Sequence, residues 1–172
     1  MAENTNGAAN GQAHPEQNQA QLSLQRIYVK DVSFEAPGAP QIFSQQGQPN
    51  VELNLAQRVS QVGDDTFEVV LSVTATCRVE DKTAYLAEVQ QAGIFGLSGF
   101  DAQGRETILS TYAPNVLFPY VRQVVSVLVQ NGGFPPFFLQ PINFDALYAE
   151  GLRQRAAKQA SELSDAETGG NA

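Results

Sequence analysis

The segment Val116–Val129 is apolar around more of its circumference than one small domain can cover. At about 100° per residue on a helix, the polar residues Arg122, Gln123, Ser126 and Gln130 occupy an arc of roughly 100°. A helix packed on one core normally has an apolar stripe of about 100° or somewhat more. Here the apolar residues occupy roughly 220° of the remaining circumference. We therefore expect a second packing partner, and a symmetry-related copy of the chain is the simplest one.

The length of 172 residues predicts one domain flanked by two polar ends. Residues 1–20 contain no apolar side chain larger than Ala after Met1 and are rich in Asn, Gln, Gly and Ala. Residues 161–172 have a similar composition and are acidic. Because neither end has apolar surface to bury, both are expected to be disordered. The folded domain is then predicted to span residues 21–160.

The charge distribution argues against nucleic acid as a partner. The formal charge of −8 divides into −2 for residues 1–20, −3 for residues 21–160 and −3 for residues 161–172. No cluster of Lys and Arg is present that could neutralise phosphates. No apolar run approaches the ~18 residues that span a bilayer, and the N-terminus lacks the features of a secretory signal. A single cysteine, Cys77, agrees with a reducing compartment, so a cytoplasmic location without membrane insertion is expected.

Alternation of apolar and polar residues is clearest from Thr66 to Glu80. Every odd-numbered residue from 67 to 79 is apolar, whereas most even-numbered ones are polar. This pattern predicts a strand with one buried face and one largely exposed face. A tight turn at Glu80-Asp81-Lys82 and a returning strand from Thr83 to Ala92 complete an antiparallel hairpin. Shorter alternating runs predict two more strands, Leu24–Phe34 and Val51–Ala56.

Two helices are predicted after the strands. The chain becomes loop-like from Gly93 onward, and the long apolar helix follows, with Pro119 placed in its first turn. The last helix is expected to begin at Asn143 as N-cap, with Asp145 in its first turn. Four antiparallel strands followed by two helices define an α+β fold. The Pro- and Gly-rich crossover segment between Glu35 and Asn50 is long for a connection, and such loops are often functional.

Catalytic chemistry is poorly supported. The only histidine, His14, lies in the leader, so neither a Ser-His-Asp nor a Cys-His arrangement can be assembled in the domain. Zinc ligands and phosphate-binding glycine loops are lacking as well. Cys77 is expected to be an inert core thiol, and the adjacent acids at Asp64-Asp65 and Glu80-Asp81 are typical turn residues. We therefore predict a protein that is not an enzyme and binds neither a cofactor nor a metal.

Two sets of side chains have both a structural and a functional interpretation. Alternate positions put Asp31, Ser33 and Glu35 on one face of the first strand and Leu86, Glu88 and Gln90 on one face of the fourth. These are either a solvated sheet face or an acidic docking surface with one exposed leucine. The second set comprises the aromatic residues Phe43, Phe134, Phe137, Phe138 and Tyr148. Many lie in Pro-rich connections, which run over surfaces, so they either complete the core or form a binding patch.

Four segments of the sequence resemble the signature segments of the SecB family of bacterial protein-export chaperones. They are QRIYVKDVSFEAPGAP (25–40), EVQQAGIF (88–95), APNVLFPYVR (113–122) and PINFDALY (141–148). Their order and spacing match the family, and the resemblance covers roughly residues 22–155. It implies a homotetramer arranged as a dimer of dimers, with the long helix in the subunit interface. It also implies ATP-independent holding of unfolded preproteins and their delivery to SecA, the motor of the Sec translocon.

The resemblance further implies roles for individual residues. The SecA-binding residues of the family map onto Asp31, Glu35, Leu86 and Glu88. The client groove maps onto Ile42, Phe43, Val51, Leu53, Leu55, Phe144, Tyr148 and Leu152. Residues expected in the subunit interface are Tyr85, Ala87, Val89 and Gln91 together with Val121, Val124, Val125 and Leu128. The chain departs from many relatives at Gly47, where those relatives carry a Trp in the crossover segment.

Two other functions remain open from the sequence. Some SecB-like proteins guard toxin–antitoxin pairs, and the same fold would serve that role. A small-molecule-binding or enzymatic α+β oligomer is the third possibility, and it would require a closed pocket with converging polar groups.

Overall fold

The computed structural model describes residues 19–168, which form a four-stranded antiparallel sheet packed on one side by helices. The strands are β1 (Gln21–Glu35), β2 (Pro49–Gly63), β3 (Thr66–Val79) and β4 (Lys82–Ser98), in the spatial order β1-β4-β3-β2. The helices are α1 (Ala102–Ser110), α2 (Tyr112–Asn131) and α3 (Phe144–Thr168), and a short 3-10 turn, Gln41–Ser44, lies in the crossover segment. The α+β class, the antiparallel sheet and the two predicted helices are confirmed.

Strand β4 is longer than the sequence predicts, because Gly93 and Gly96 lie within it and not in a loop. The glycine at position 93 has a packing reason. A Cβ there would approach the ring of Phe95 to 2.8 Å and the side chain of Leu117 to 2.9 Å. Glycine thus allows α2 to pack closely on the sheet at this point, and it does not break the strand.

The helical region also departs from the prediction in two ways. A short additional helix, α1, begins after Asp101, whose carboxylate accepts a hydrogen bond of 2.7 Å from the backbone N–H of Gly104. This N-cap explains why Gly104 lies in a helix and not in the expected loop. Pro119 lies well inside α2 and not in its first turn, because the helix begins at Tyr112. The proline lacks the N–H that would bond to the carbonyl of Asn115, and its ring is exposed to solvent.

The core lies between α2 and the central strands β3 and β4. Every fourth residue of α2 faces the sheet with no exposed surface, and these residues are Ala113, Leu117, Val121, Val125 and Val129. They meet the buried side chains of β4, which include Tyr85, Ala87, Val89 and Gln91. Six of the eight predicted interface residues are therefore covered within a single chain, and only Val124 and Leu128 remain half-exposed. The width of the apolar arc of α2 indicates that the helix has more than one packing partner. It does not show which part of the arc faces the sheet.

Two β-bulges decide which side chains of β1 face the helices. The pairing of β1 with β4 shifts between Leu24 and Arg26 and again between Val29 and Asp31. Each shift inserts one extra residue, so that apolar residues spaced by two or three positions all reach the same side of the sheet. These residues are Leu22, Leu24, Ile27, Val29, Val32 and Phe34. The acidic residues between them face the opposite side.

Helix α3 begins as predicted. The side-chain oxygen of Asn143 accepts a hydrogen bond of 2.9 Å from the backbone N–H of Ala146, and Asp145 lies in the first turn. The helix extends to Thr168, so the predicted start of the acidic tail at residue 161 falls inside a helix. Residues 1–18, including His14, and residues 169–172 lie outside the described part of the chain.

Candidate functional site

A groove follows the helix-side face of the edge strand β2, and we call it the β2 groove. It comprises three cavities, of about 570, 380 and 430 Å³, and the second and third share part of their walls. Val51 lines the first, Leu55 the second, and Val59 both the second and the third. These residues are an even number of positions apart on one strand, so they face the same side of the sheet and place the three cavities in a row. The groove runs from the crossover segment past α3 to α1.

The first cavity is walled by aromatic side chains from distant parts of the chain. Phe134, after α2, has its ring 4.9 Å from that of Tyr85 and 5.1 Å from that of Phe43 in the crossover segment. Phe34 of β1 extends the cluster, with its ring 5.9 Å from that of Tyr85. Phe43 is 53 % exposed although its ring contacts the cluster. The Pro-rich segment after α2 therefore contributes to the wall of an open cavity, and not only to the core.

Most of the predicted groove residues are brought together, but in two separate cavities. Ile42, Phe43 and Val51 line the first, whereas Leu55, Phe144 and Tyr148 line the second. Leu53 lies between them on β2 and is 50 % exposed, and Leu152 is exposed beyond the second cavity. The third cavity is lined by Val59, Phe67 and Leu109, which are not among the predicted groove residues. The continued alternation of Leu55, Gln57 and Val59 would have indicated this extension.

Cys77 and Gly47 line the first cavity, and each is the subject of a specific expectation from the sequence. Cys77 is buried, and burial raises the pKa of its thiol, so the reactive thiolate is disfavoured at neutral pH. This supports an inert core cysteine. At Gly47 a Cβ would lie 2.9 Å from Cγ1 of Val79, so a larger residue there requires Val79 to move. Gly47 lines the first cavity and contributes no side chain to its wall.

The open face of the sheet, on the side without helices, brings the four predicted SecA-binding residues close together. Leu86 pairs with Glu35, Glu88 pairs with Ser33, and Asp31 pairs with Gln90 on the neighbouring strand. The carboxylate of Glu88 accepts hydrogen bonds of 3.4 Å from Ser33 Oγ and 3.3 Å from Thr74 Oγ1. Leu86 is half-buried among these polar groups. The arrangement is an acidic surface with an accessible apolar side chain.

At the other end of the open face a buried carboxylate holds β1 and β3 together. Glu68 accepts hydrogen bonds from the Tyr28 hydroxyl and from Lys30 Nζ, the latter at 2.6 and 2.8 Å. Its side chain is 11 % exposed. The hydrogen bonds from Lys30 and Tyr28 lower the pKa of Glu68, and the bond to Glu68 raises the pKa of Tyr28. The network stabilises the ionised form of this carboxylate.

The depressed pKa predicts how stability depends on pH. Glu68 contributes stability that is fully present above its ordinary pKa of 4.5 and is lost as the pH falls through the lower folded-state value. We expect Glu68→Gln to lower the free energy of unfolding at pH 7 by about 1.5–3 kcal/mol, the usual range for hydrogen bonds to charged groups. The free energy of unfolding can be measured with denaturant at pH 7 and at pH 3. The difference between wild type and Glu68→Gln should be smaller at pH 3 than at pH 7. A constant difference at both pH values would contradict the assignment.

An apolar surface that one chain leaves uncovered lies where β1 runs beside α2. Phe95, which pairs with Leu24, has its ring 6.5 Å from that of Tyr112 at the start of α2, while Phe34 packs against Gly132 at its end. Strand and helix therefore run side by side in the same direction. This uncovered apolar face contains the exposed residues Leu22, Leu24, Val29, Val32, Tyr112, Tyr120 and Val127.

The half-exposed residues Val124 and Leu128 border the uncovered apolar face. Phe118, on the other flank of α2, has its ring 5.8 Å from that of Phe144 in α3, so that flank faces β2. The flank with Val124 and Leu128 consequently faces β1. The surplus apolar arc of the helix and the apolar row of the strand form one continuous patch.

The described residues, 19–168, contain no cluster of three or more His, Cys, Asp or Glu side chains that could hold a metal ion. No helix in that part of the chain is both long and apolar enough to cross a membrane. The groove is open, and its apolar walls are interrupted by charged side chains in the second and third cavities, where Arg155 forms an ion pair with Glu106. An α+β subunit with an accessible groove, an acidic sheet face and an uncovered apolar patch has the features of a binding protein that recognises polypeptide.

Comparison with known proteins agrees with this class. The family model for the preprotein translocase subunit SecB matches residues 15–155. The chain belongs to the SecB family of protein-export chaperones, which is not a family of enzymes. Protein-export protein SecB of Stenotrophomonas maltophilia is 59 % identical over 88 % of each chain, and that of Xylella fastidiosa is 57 % identical over 86 % of this chain and 87 % of its own. The resemblance seen in the sequence is confirmed.

A solved structure shows the same fold at much lower identity. It is that of a SecB-like chaperone from Mycobacterium tuberculosis in complex with a ChAD peptide from the HigA1 antitoxin. The TM-score is 0.59 at 19 % identity, with 70 % of this chain and 90 % of that chain covered.

Proposed function

We propose that this protein is an ATP-independent chaperone that binds unfolded preproteins in the β2 groove, keeps them competent for translocation and delivers them to SecA. The observation that carries the proposal is the groove itself: a row of three cavities open to solvent, the first two lined mainly by apolar and aromatic side chains and the third by apolar and polar ones. Extended chain offers alternating apolar side chains to such a groove, whereas folded proteins have buried theirs. Selection would therefore be for the unfolded state.

The energetics of the groove suit a passive holding function. Each apolar side chain that enters gains about 25 cal/mol per Å² of buried surface, before the cost of ordering the client is subtracted. Several grooves on one assembly act together through effective concentration, so that weak sites give useful affinity. The charge of −8 on each copy keeps the loaded assembly dispersed. Release needs no nucleotide on this protein.

The open face of the sheet would serve as the SecA-docking surface. Asp31, Glu35 and Glu88 lie on it together with the accessible Leu86. A carboxylate cluster around one apolar side chain suits a basic partner segment that also inserts an apolar group. Because the groove lies along β2 on the opposite side of the sheet, docking and client binding do not compete for the same surface. Client and motor can therefore be held at the same time.

The uncovered apolar face supports assembly as a homotetramer, a dimer of dimers, in the cytoplasm. Exposed side chains from β1 and α2 line a patch that extends along the 20-residue helix, about 30 Å. Apolar patches of that size on soluble proteins usually mark an interface. A second copy would cover Val124 and Leu128 together with β1. The sheet faces and grooves would remain outside this contact.

Guarding a toxin–antitoxin pair is the second candidate function. It is favoured by the fold shared with the chaperone that holds an antitoxin peptide. Identities of 57–59 % to protein-export relatives favour export for this chain. Proteins captured with the chain from its native cells should include precursors and SecA if it acts in export. Recovery of an antitoxin alone would favour the second function.

A groove variant tests the proposed client site. Leu53→Glu places a charge in the exposed middle of the groove, so we expect about tenfold weaker binding of an unfolded precursor, in line with the 1.5–3 kcal/mol gained by burying a leucine. Precursor binding and delay of precursor refolding are the measurements. Val62→Glu is the matched control, because Val62 is equally exposed on β2 but lines none of the three cavities. Equal affinities for the two variants would contradict the assignment.

A further inference from the structure

The open face of the sheet is divided by charge along the strand direction. The row next to the β3–β4 turn contains the exposed Arg78, and the three rows that follow contain Glu35, Glu52, Glu88 and Asp31 and no Lys or Arg. The next two rows contain Arg26 on β1 and Arg58 on β2, and the bulged Lys30 joins them through its bond to Glu68. We call these the acidic half and the basic half of the open face.

The basic half retains net positive charge. Lys30 and Glu68 neutralise each other in an ion pair of 2.6 Å. Arg26 and Arg58 are exposed, and neither forms an ion pair with any residue in the described part of the chain. They lie on the two edge strands, about 14 Å apart across the sheet at the usual strand spacing. Two uncompensated guanidinium groups thus flank a neutral centre.

A structural role accounts for Lys30 but not for both arginines. Val70 and Ala92 are buried although they lie on the open face, so neighbouring side chains cover them. The ring of Tyr28 and the aliphatic part of Lys30, both held by Glu68, are suited to this cover. Arg26, in the next row, is not needed for it, and Arg58 acts on Glu68 only through its charge, which helps to lower the pKa of that carboxyl without an ion pair. Their charge is therefore available to a partner.

The distance between the halves makes them separate sites. The centre of the acidic half, near Thr74, lies about five residues along β3 from the centre of the basic half, which is roughly 17 Å. The Debye length in physiological salt is about 8 Å, so charges in one half are largely screened from a ligand on the other. A partner that contacts both halves must carry two charged groups of opposite sign at that separation.

We propose that the basic half is a second docking subsite, which takes an acidic group of the same partner segment whose basic group docks on the acidic half. The segment is extended, with its positive and negative groups about five residues apart. The inference rests on the proposed docking of SecA to this face. It adds a recognition element outside Asp31, Glu35, Leu86 and Glu88.

The test uses purified SecA and the full chain with both arginines neutralised, Arg26→Gln with Arg58→Gln. We expect about threefold weaker binding for each substitution and five- to tenfold for both at low ionic strength, because exposed charge pairs contribute modestly. The double variant should also show a smaller loss of affinity with added salt. Arg153→Gln, on the exposed part of α3, is the matched control. If the wild-type chain binds SecA and the double variant binds it with the same affinity, the basic subsite is refuted. The proposed docking of SecA to the acidic half is not affected by that result.

Two synthetic peptides separate this inference from the proposed function. One carries three lysines, five neutral residues and two aspartates, and the other has asparagines in place of the aspartates. The first should bind the wild-type chain at least about threefold more tightly, and the double arginine variant should bind both equally. The same preference in the variant would refute the basic subsite. Failure of wild-type chain to bind SecA would instead refute the proposed docking.

Discussion

The Glu88→Lys variant should bind SecA at least about tenfold more weakly than the wild-type chain at low ionic strength. Glu88 lies at the centre of the acidic half, between Ser33 and Thr74, with its carboxylate held by both hydroxyls. Reversing its charge removes an attraction and adds a repulsion toward a basic partner. Because the side chain is exposed, the fold should be unaffected. Titration calorimetry with purified SecA gives the affinity directly.

Salt and a distant charge reversal serve as controls for this result. Added salt should weaken the wild-type complex and narrow the difference between wild type and Glu88→Lys, because exposed charges are screened. Glu150→Lys makes the same change in net charge on the exposed surface of α3. It should leave SecA binding nearly unchanged. If both variants lost affinity equally, net charge and not the sheet face would govern the interaction.

Charging the uncovered apolar face should break the assembly. In the double variant Val29→Lys and Val127→Lys, each copy would place two unpaired ammonium groups in the proposed interface, one from β1 and one from α2. Both side chains are exposed in the single chain, so each subunit should keep its fold. We expect the mass in solution to fall from that of a tetramer to that of a dimer or a monomer, because desolvating unpaired charges is costly. Sedimentation equilibrium and circular dichroism measure mass and fold.

The matched control for the assembly is Val62→Lys. Val62 is an exposed valine on the other edge strand, away from the uncovered apolar face. This variant should retain the wild-type mass. A tetramer that survives the double substitution, with the subunit fold intact, would place the interface elsewhere on the chain.

Periodicity predicted the regular parts of the fold well. The period of two in β3 and its hairpin with β4 follows directly from residues 66–92, and the N-cap at Asn143 is a local signal that needs no tertiary context. The shared face of Asp31, Glu35, Leu86 and Glu88 also follows from the sequence pattern. Alternate positions on adjacent antiparallel strands must share a face once the register is known.

The remaining differences arise from tertiary packing, which sequence patterns do not contain. In the sequence Gly93 looks like a residue that ends a strand. In the fold it lies inside β4, where α2 packs so closely that there is no room for a side chain. The two bulges in β1 depend on pairing with β4. Without that pairing, the uneven spacing of the apolar residues in β1 does not reveal that they all face the same side of the sheet. Val121 and Val125 belong to the same wide apolar arc as Val124. Only the position of the sheet decides which of these residues are buried within one chain.

The first cavity depends most on long-range contacts. Phe34, Phe43, Tyr85 and Phe134 come from four different parts of the chain and meet in one aromatic cluster. The sequence shows that Phe43 and Phe134 lie in Pro-rich connections. It does not show that their rings are in contact, because that contact depends on the tertiary fold. Phe34 and Tyr85 of the cluster are next to Glu35 and Leu86 on β1 and β4, so the aromatic cluster and the acidic surface lie on opposite sides of these two strands.

Site-specific cross-linking tests the central claim, that extended polypeptide lies in the β2 groove, most directly. A light-activated cross-linker at position 43 projects from the wall of the first cavity, and the same group at position 153 lies on the exposed surface of α3. We expect position 43 to capture an unfolded precursor and not its folded form, with only background capture at position 153. Equal capture at both positions, or capture of folded and unfolded precursor alike at position 43, would contradict the account.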